Sequence, residues 1–403
     1  MFFVICSFSD ILIISDVMIV CTDKDEKFNI YKNKVKSRKV LFHIKDIFND
    51  WWDDYKIKFK DRNRRPIIDK VVAKFLLCKS FLLGYSLYEC PTCHKETIVP
   101  HTCKTRFCSS CGNKYNEDRA ISINSKLFKW KHRHVVFTVP EEPRLYFRNN
   151  RKLLNLLFKA SSDTIKCWFN EKYKKIGLKP AFISVLHTYG RSLNFNPHIH
   201  ILLLDGGISN SKFINVDFFS YASFRKRWMK LILDLLEFEI GKDSFRKIKN
   251  DMYRNYPKGF YVYAPKCKFK SIDGLVSYVC RYLSRPVMAE SRILDYDGTF
   301  VTFWYQRHED NRIIIEKIHA FEFIHRLIIH IPEPNFKYIR FYGAYHNSCK
   351  INIEMFKLND ECKIKFRKSL NKWRRKILIN FHIDPLFCSI CKEEMVYYKS
   401  YYT

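Results

Sequence analysis

Apolar residues recur at helical spacing in several stretches of the chain. Between residues 41 and 88 they include Ile44, Ile47 and Phe48, and a second run extends from Ile67 to Leu83. Positions three and four residues apart lie on one face of a helix, so the pattern predicts amphipathic helices here. By the same reasoning we predict a basic helix over 115–130 and further helices over 149–175, 215–255 and 272–285.

The middle of the chain carries short β-rich runs that are closed by turn residues. His134–Val139 is followed by Pro140, and His198–Leu204 is followed by an Asp-Gly-Gly sequence. Such runs predict strands. Further strands are predicted for 182–187 and near 260–263, and a hairpin is predicted for 299–320. The chain is therefore expected to contain both helices and strands.

The composition favours a folded chain with a polyanionic partner. The 403 residues suffice for two or three domains, and 47% of them are hydrophobic. Lys and Arg total 72 against 41 Asp and Glu, which gives a net charge of +31. Phosphate contacts by Lys and Arg dominate nucleic-acid affinity, so we expect a nucleic acid as the partner. A general lysine bias of an AT-rich genome is the alternative.

The first twenty-one residues are apolar and could be read as a membrane anchor. Asp10 and Asp16 interrupt this run, and no basic residue precedes it as in a secretory signal. We therefore expect a mis-set start codon or a buried element, no membrane partner and a cytoplasmic protein. Residues 22–40 are polar and rich in lysine, and we interpret them as a linker.

Several of the fifteen cysteines occur in C-x-x-C pairs, which favours metal binding in a reducing cytosol over a disulfide scaffold. The first two pairs are separated by fourteen residues. Each pair turns the chain so that both thiolates can face one ion, and two pairs complete a tetrahedron. The spacing predicts one structural Zn²⁺ on Cys90, Cys93, Cys108 and Cys111.

Other residues near these pairs are open to two readings. His101 and Cys103 are either alternative zinc ligands or braces of the loop, and we favour the second reading. Cys78 precedes the pairs in an apolar run and is expected to belong to the core. Lys104 and Arg106 adjoin the cysteines, so we expect this basic zinc module to bind DNA. A module that only stabilises the fold is the alternative.

Two histidines of a predicted strand form the first candidate for catalytic chemistry. His198 and His200 flank Ile199, and side chains at i and i+2 point to the same face of a strand. Alone, such a pair is more often packed or exposed to solvent than bound to metal. His187 ends the preceding strand and is either a third ligand or a histidine that orders the loop. A metal with open positions could polarise a phosphodiester for attack.

Two tyrosines of a predicted helix form the second candidate. Tyr278 and Tyr282 are four residues apart and therefore share a helix face. Arg281 and Arg285 flank them and could hold phosphates. A tyrosine that attacks a phosphodiester keeps the energy of the broken bond in a phosphotyrosine, so the strand can be rejoined elsewhere. Ordinary aromatic packing is the alternative reading of this pair.

Taken together, these motifs resemble the rolling-circle insertion-sequence transposases of the two-tyrosine HUH class, the IS91 type. The resemblance covers about residues 45–395, with its blocks in family order. Asn196 stands where the family often has a further histidine, and Cys280 where a small residue or Leu is common. The resembling blocks are His101–Cys111, Arg133–Pro140, Val185–Gly190, Asn194–His200, Tyr278–Arg285, Arg292–Ile293, Phe323–Gly343 and Asp384–Cys391.

The resemblance implies an α+β fold with an HUH-type antiparallel sheet, helices on one face, and a small helical zinc-binding domain before it. It also implies a prokaryotic, nucleoid-associated enzyme that cleaves and rejoins single-stranded DNA. Mg²⁺ or Mn²⁺ on His198 and His200 would activate the phosphate, and Tyr278 or Tyr282 would attack to give a 5′-phosphotyrosine. Base recognition would use stacking on aromatic side chains.

Four segments are expected: an N-terminal extension (1–40), a zinc-binding domain (41–130), a catalytic domain (131–345) and a basic tail (346–403). The tail contains Cys388 and Cys391, a pair with no obvious second half. Cys349, Cys362 or His382 could complete it, or it could be a relic. Two other functions remain open: a replication-initiator or relaxase-like nickase, and an inactive transposase copy that binds DNA through zinc.

Overall fold

The structure is a computed structural model of the chain. It describes residues 17–19, 40–60, 65–124, 126–128, 130–216, 218–263, 286–307, 310–349, 374 and 384–402. The predicted helix over 272–285 lies outside these residues, and so does most of the N-terminal extension. The described helices are α1 (Ile44–Lys58), α2 (Pro66–Leu76), α3 (Ser109–Asn124), α4 (Arg144–Asn149), α5 (Leu154–Tyr173), α6 (Tyr221–Ile240), α7 (Lys242–Asn255) and α8 (Ala320–Ile328).

The strands lie in three sheets, and every described strand pair is antiparallel. Together with the helices they confirm an α+β fold. The strands are β1 (Val17–Ile19), β2 (Tyr85–Glu89), β3 (Glu96–Pro100), β4 (His132–Thr138), β5 (Lys179–Tyr189), β6 (Phe195–Ser209), β7 (Lys212–Asn215), β8 (Val262–Tyr263), β9 (Ile293–Tyr296), β10 (Phe300–Gln306), β11 (Ile313–His319), β12 (Ile339–Gly343) and β13 (Val396–Tyr401).

Two compact units emerge from the contacts within the chain. The larger unit contains residues 66–190, 194–287 and 330–403 and carries two of the sheets. The smaller unit contains residues 1–65, 191–193 and 288–329. This division differs from the four segments expected from the sequence, because distant parts of the chain pair with each other.

The largest sheet has the strand order β12-β5-β6-β4-β8, and β7 pairs with the far part of β6. The central strand β6 is buried along most of its length, because it has neighbours on both edges and packing on both faces. On one face, Phe137 of β4 packs against Trp228 of α6, with ring centroids 5.3 Å apart. Helix α5 also contacts β5 and β6. Long apolar helices thus cover this face.

The opposite face of the same sheet carries a second apolar layer. Ile183 and Val185 of β5 and Leu202 of β6 lie in one buried cluster with Tyr345. Alternate residues of a strand share a face. His187, His198 and His200 have the same parity as these residues, so the histidines continue this layer toward the end of the sheet where β5 turns into β6.

A three-stranded sheet in the larger unit has the order β13-β2-β3. Residues 85–89 were expected to continue a helical stretch but form β2, which pairs with β3 as a hairpin. The helical prediction is wrong there, since all of Tyr85–Glu89 pairs with β3, and the adjacent Leu87 and Tyr88 are both buried although they point to opposite faces. Strand β13 pairs with β2, so this part of the predicted tail is folded.

The smaller unit consists of a four-stranded sheet, β1-β11-β10-β9, and the helices α1 and α8. Tyr55 of α1 hydrogen-bonds His325 of α8 over 2.9 Å, and Trp51 packs edge-on against Phe321. The predicted hairpin over 299–320 is confirmed as β10 and β11. Helix α1 therefore packs on residues far along the chain, within the smaller unit.

Within the apolar N-terminal run, the structure describes only Val17–Ile19, which pair with β11 as an edge strand. Among the described residues, no helix combines the length and the apolar character needed to cross a membrane.

Candidate active site and cysteine clusters

Three histidines meet on one face of the large sheet. His198 and His200 lie on the central strand β6, two residues apart, and therefore point the same way. The register places His187 of β5 directly opposite His198. Their side-chain nitrogens, one from each histidine, lie within 4.8 Å of one another. The sheet thus brings together all three predicted ligands, and a single ion could be reached from each.

Hydrogen bonds fix how two of these rings present their nitrogens. Nδ1 of His198 lies 2.7 Å from the carbonyl oxygen of Asn196. A carbonyl only accepts, so this Nδ1 carries the proton and the Nε2 lone pair is available to a metal. The Nε2 atoms of His198 and His200 are 3.0 Å apart. Both rings therefore direct Nε2 toward the same point.

A fourth histidine supports this arrangement. Nε2 of His134, on β4, lies 2.8 Å from Nδ1 of His200, and the two rings are stacked within 6°. This contact occupies the nitrogen of His200 that faces away from His198. Partners of this kind set the tautomer and ring orientation of metal-binding histidines. His134 was not predicted as part of the site, although its position in a predicted strand could have suggested it.

Burial keeps the histidines neutral. Loss of solvation lowers the pKa of His198 and of His134 to about 4. The pKa of His200 falls well below its usual value, first through burial and then through the neighbouring His187. The neutral imidazole is the form that donates a lone pair to a metal. His198 and His200 are therefore in the neutral, metal-binding form at neutral pH.

A cavity adjoins the histidines. His187, Tyr189 and His330 line it together with Arg106 and Tyr338. The Arg106 guanidinium stacks 4.3 Å from the centroid of the Tyr338 ring. Arg106, predicted from the sequence to bind DNA, thus lies beside the histidine site. Lys104, the other predicted contact, is exposed and takes a left-handed backbone conformation with φ 53°.

The cysteines that the structure describes form two tetrads instead of the one predicted. The first, which we call the local tetrad, consists of Cys78, Cys103, Cys108 and Cys111. The Sγ atom of Cys111 lies 3.8 Å from that of Cys78 and 3.6 Å from that of Cys103. Four sulfurs around one zinc at 2.3 Å would be about 3.8 Å apart. All four side chains are buried.

The second tetrad, which we call the distal tetrad, consists of Cys90, Cys93, Cys388 and Cys391. The Sγ atoms of Cys90 and Cys391 are 3.3 Å apart, and those of Cys93 and Cys388 are 3.5 Å apart. The predicted site on Cys90, Cys93, Cys108 and Cys111 is therefore wrong in its grouping. A fourteen-residue spacing allows two C-x-x-C turns to share an ion, but the β2–β3 hairpin carries the first turn away from the second.

Two neighbouring predictions are also corrected or refined. Cys78 was assigned to the core and Cys103 to the loop, but both belong to the local tetrad. His101 is not in either tetrad: its ring hydrogen-bonds the Ser86 hydroxyl over 3.1 Å and lies 3.2 Å from the carbonyl oxygen of Leu83. His101 therefore braces the hairpin, in agreement with the favoured interpretation of this residue.

The four predicted residues of the nucleophile helix lie outside the described residues: Tyr278, Arg281, Tyr282 and Arg285.

Comparisons with known proteins agree with the motifs. A family model described as "Transposase zinc-binding domain" matches residues 47–139, and one described as "Putative transposase" matches residues 181–352. The "Transposase for insertion sequence element IS801" of Pseudomonas savastanoi pv. phaseolicola is 28% identical over 354 residues, which cover 83% of this chain and 84% of that protein. The "Putative transposase y4qJ" of Sinorhizobium fredii is 26% identical over 322 residues, 75% of this chain and 80% of that protein. No solved structure matches significantly.

These findings point to one class of protein, a transposase that acts on DNA. The two domain matches, together with relatives along most of the chain, support the particular family: the IS91-type transposases with an N-terminal zinc-binding domain. The resemblance drawn from the motifs is thereby confirmed.

Proposed function

We propose that this transposase cleaves and rejoins single-stranded DNA by tyrosine transesterification at the histidine cluster. The observation that carries the proposal is the convergence of His187, His198 and His200 on one face of the sheet, with the rings of His198 and His200 oriented toward a common point. The cluster and the paired tyrosines fall within the same matched domain, residues 181–352.

The chemical step is a reversible exchange of phosphoester bonds. The phenolic oxygen of Tyr278 or Tyr282 bonds to the scissile phosphorus, and the bond from phosphorus to the 3′ oxygen breaks. The phenol loses its proton and the departing 3′ oxygen gains one, which leaves a 5′-phosphotyrosine and a free 3′-OH. A later attack by a 3′-OH reverses these changes and joins the strand elsewhere. The second tyrosine would serve the second transfer.

The histidines fit a divalent ion that must also bind substrate. His187, His198 and His200 would hold a divalent ion such as Mg²⁺ or Mn²⁺, and three protein ligands would leave room for the DNA phosphate. When bound, the ion would stabilise charge that develops on the phosphate. His134 would hold His200 in orientation through their 2.8 Å hydrogen bond. Arg106, in the adjoining cavity, could contact the DNA backbone.

We assign the structural zinc of the N-terminal domain to the local tetrad. Cys78, Cys103, Cys108 and Cys111 all lie within the matched zinc-binding domain, and their sulfurs have tetrahedral spacing. Four thiolates leave no position for a substrate, which suits a structural role. The module would present basic side chains such as Lys104 and Arg106 to DNA.

Two other functions share some of these features. A replication-initiator-like nickase would use the same histidines and tyrosines, but the matches to transposases over most of the chain favour transposition. An inactive copy would bind DNA without cleaving it. The intact, oriented histidine cluster favours an active enzyme.

The test is a denaturing gel of the purified full chain with Mn²⁺ and single-stranded oligonucleotides that tile the DNA flanking its gene. We expect a covalent protein–DNA adduct that Tyr278→Phe, Tyr282→Phe or both remove, and that His200→Ala removes. Tyr253→Phe, at an exposed tyrosine of α7, is the matched control and should leave the adduct unchanged. DNA binding without any adduct would overturn the catalytic assignment in favour of a binding protein.

A further inference from the structure

The distal tetrad joins two parts of the chain that do not lie in the same domain match. Cys90 and Cys93 fall within the matched zinc-binding domain, residues 47–139. Cys388 and Cys391 lie beyond residue 352, where the second match ends. Cys90 and Cys391 are separated by 301 positions in the sequence. Their proximity is therefore a property of the tertiary structure alone.

The turn that carries Cys90 and Cys93 has a specific backbone geometry. The His94 N–H donates to the Cys90 carbonyl over 2.9 Å, and the Cys90 N–H donates to the Lys95 carbonyl over 3.0 Å. His94, directly after the second cysteine, has a left-handed φ of 55°. Such a conformation is uncommon for a residue other than glycine and indicates a backbone held by its surroundings.

The turn that carries Cys388 and Cys391 repeats this geometry. The Lys392 N–H donates to the Cys388 carbonyl over 3.1 Å, and the Cys388 N–H donates to the Glu393 carbonyl over 2.9 Å. Lys392, again directly after the second cysteine, has a φ of 65°. Two matching turns that face each other present four sulfurs in the way expected of paired zinc-binding turns.

The sulfur positions suit a shared ion better than two disulfides. The Sγ atom of Cys93 lies 3.5 Å from both Cys388 and Cys391, so it is not directed at one partner. A disulfide would bring one pair of sulfurs to about 2.05 Å and separate the others. Around a zinc ion, each sulfur is expected to lie about 3.8 Å from the other three.

The segment that brings Cys388 and Cys391 is also attached by a strand and by packing. β13 extends the β2–β3 hairpin, with the Ser400 and Ser86 hydroxyls 2.8 Å apart. Met395 is buried with Cys90 and Cys388 in one small apolar cluster. The cluster is too small to account for an ordered sheet by itself, since domains of this size usually need a metal or disulfide.

We propose that Cys90, Cys93, Cys388 and Cys391 bind a second structural Zn²⁺, which fastens residues 384–402 onto the β2–β3 hairpin. The zinc module of this protein is then built from two parts of the chain and holds two ions, one in the local tetrad and one in the distal tetrad. The β2–β3 hairpin would acquire β13 as its third strand only when the distal tetrad can bind its ion. This inference concerns architecture and does not depend on the DNA cleavage proposed above.

The experiment measures zinc in the full chain after gel filtration into chelator-free buffer, with His198→Ala/His200→Ala measured alongside to correct for any zinc at the histidine site. We expect two zinc ions per wild-type chain and one in Cys388→Ser/Cys391→Ser and in Cys90→Ser/Cys93→Ser. Cys167→Ser, at an exposed cysteine outside both tetrads, is the control and should retain two. Amide hydrogen exchange in each distal double variant should rise in both 85–100 and 384–402, but not in 132–138.

A conservative variant keeps the test decisive if the serine variants fold poorly. Cys388→His retains a zinc ligand, so the Co²⁺-substituted protein should still bind two ions while the visible bands of one site shift as a nitrogen replaces a sulfur. Unchanged zinc content in both double serine variants would overturn the proposal. So would a Cys90–Cys391 or Cys93–Cys388 disulfide in the wild-type protein, detected by mass spectrometry without reduction.

Discussion

The histidine cluster and the cysteine tetrads both gather metal-binding side chains, but they are built in opposite ways. The histidines come from neighbouring strands of one sheet and offer three nitrogens. The cysteines come from turns and offer four sulfurs to each site. Three imidazoles leave room for a substrate, whereas four thiolates close the coordination shell. We therefore expect the first site to govern activity and the tetrads to govern folding.

The two tetrads also differ from each other. The local tetrad closes a segment between Cys78 and Cys111, which are 33 positions apart, whereas the distal tetrad joins positions about 300 apart. A crosslink over a longer loop removes more conformational freedom from the unfolded chain, although this gain grows only slowly with loop length. Five predictions test these differences, in order of decreasing expected effect.

The largest effect is expected from Cys108→Ser in the local tetrad. Structural zinc contributes about 10 kcal/mol or more to the folding of small zinc modules, which exceeds the stability of many domains. We expect residues 78–84 and 101–111 to lose protection from amide hydrogen exchange, while β4 to β6 remain protected. Cys349→Ser, at a cysteine outside both tetrads, should change neither region. Full protection of residues 78–84 and 101–111 in Cys108→Ser would refute the structural role of the local tetrad.

Omission of Mg²⁺ and Mn²⁺ from the buffer should reduce activity but leave the fold stable, the opposite of the zinc loss above. Loss of the charge that stabilises the phosphate is expected to reduce adduct formation about 10³-fold, which corresponds to about 4 kcal/mol. The thermal unfolding midpoint should change little, because the histidine layer is held by the sheet. Added Mn²⁺ should restore the adduct. The comparison would fail if the protein unfolded without Mg²⁺ and Mn²⁺ or if the adduct rate stayed unchanged.

Acidification should destabilise the fold through His132, a buried histidine 2.6 Å from the Tyr345 hydroxyl. Burial lowers the pKa of His132 to about 4, whereas the ordinary value is 6.5. Below pH 6.5 the unfolded chain binds the proton more readily, so stability should fall as the pH drops from 6.5 to 4. The contribution approaches about 3 kcal/mol. Urea unfolding across this range should show a smaller pH dependence in His132→Phe than in wild type, and equal dependence would contradict the assignment.

Loss of the partner of His200 should weaken metal binding without removing a ligand. His134→Phe deletes the hydrogen bond that orients His200, and such changes typically cost 10- to 100-fold in metal affinity. Mn²⁺ titration of adduct formation should therefore show a higher half-saturating concentration, with partial recovery of activity at high Mn²⁺. His346→Phe, at an exposed histidine, should behave as wild type. An unchanged Mn²⁺ requirement in His134→Phe would leave His134 with a packing role only.

The smallest effect is expected from the basic residue beside the histidines. Arg106→Gln should weaken the binding of single-stranded DNA. It should also reduce the magnitude of the slope of log affinity against log salt concentration by about 1, as expected for the loss of one phosphate contact. Arg254→Gln on α7 removes an equal charge from an exposed position and is the control. Equal salt slopes in Arg106→Gln and wild type would mean that Arg106 does not contact phosphate.

Much of the fold and site could be predicted where the signal is local. The strands that carry His134, His187, His198 and His200 were predicted near their true positions, because β-rich runs closed by turn residues identify them. The two-residue spacing of His198 and His200 also fixed their common face. The contact of His134 with His200 could not be predicted, since it depends on β4 pairing with β6 in one particular register.

The sequence by itself determined the candidates for the chemistry: the paired histidines, the C-x-x-C turns and the excess of positive charge. The tertiary structure alone decided how these groups combine. Cys93 and Cys108 are close in sequence yet belong to different tetrads, while Cys93 and Cys388 share one. The physical reason is that a C-x-x-C turn specifies only half of a tetrahedron. Strand pairing between β2 and β13 determines which other half it meets.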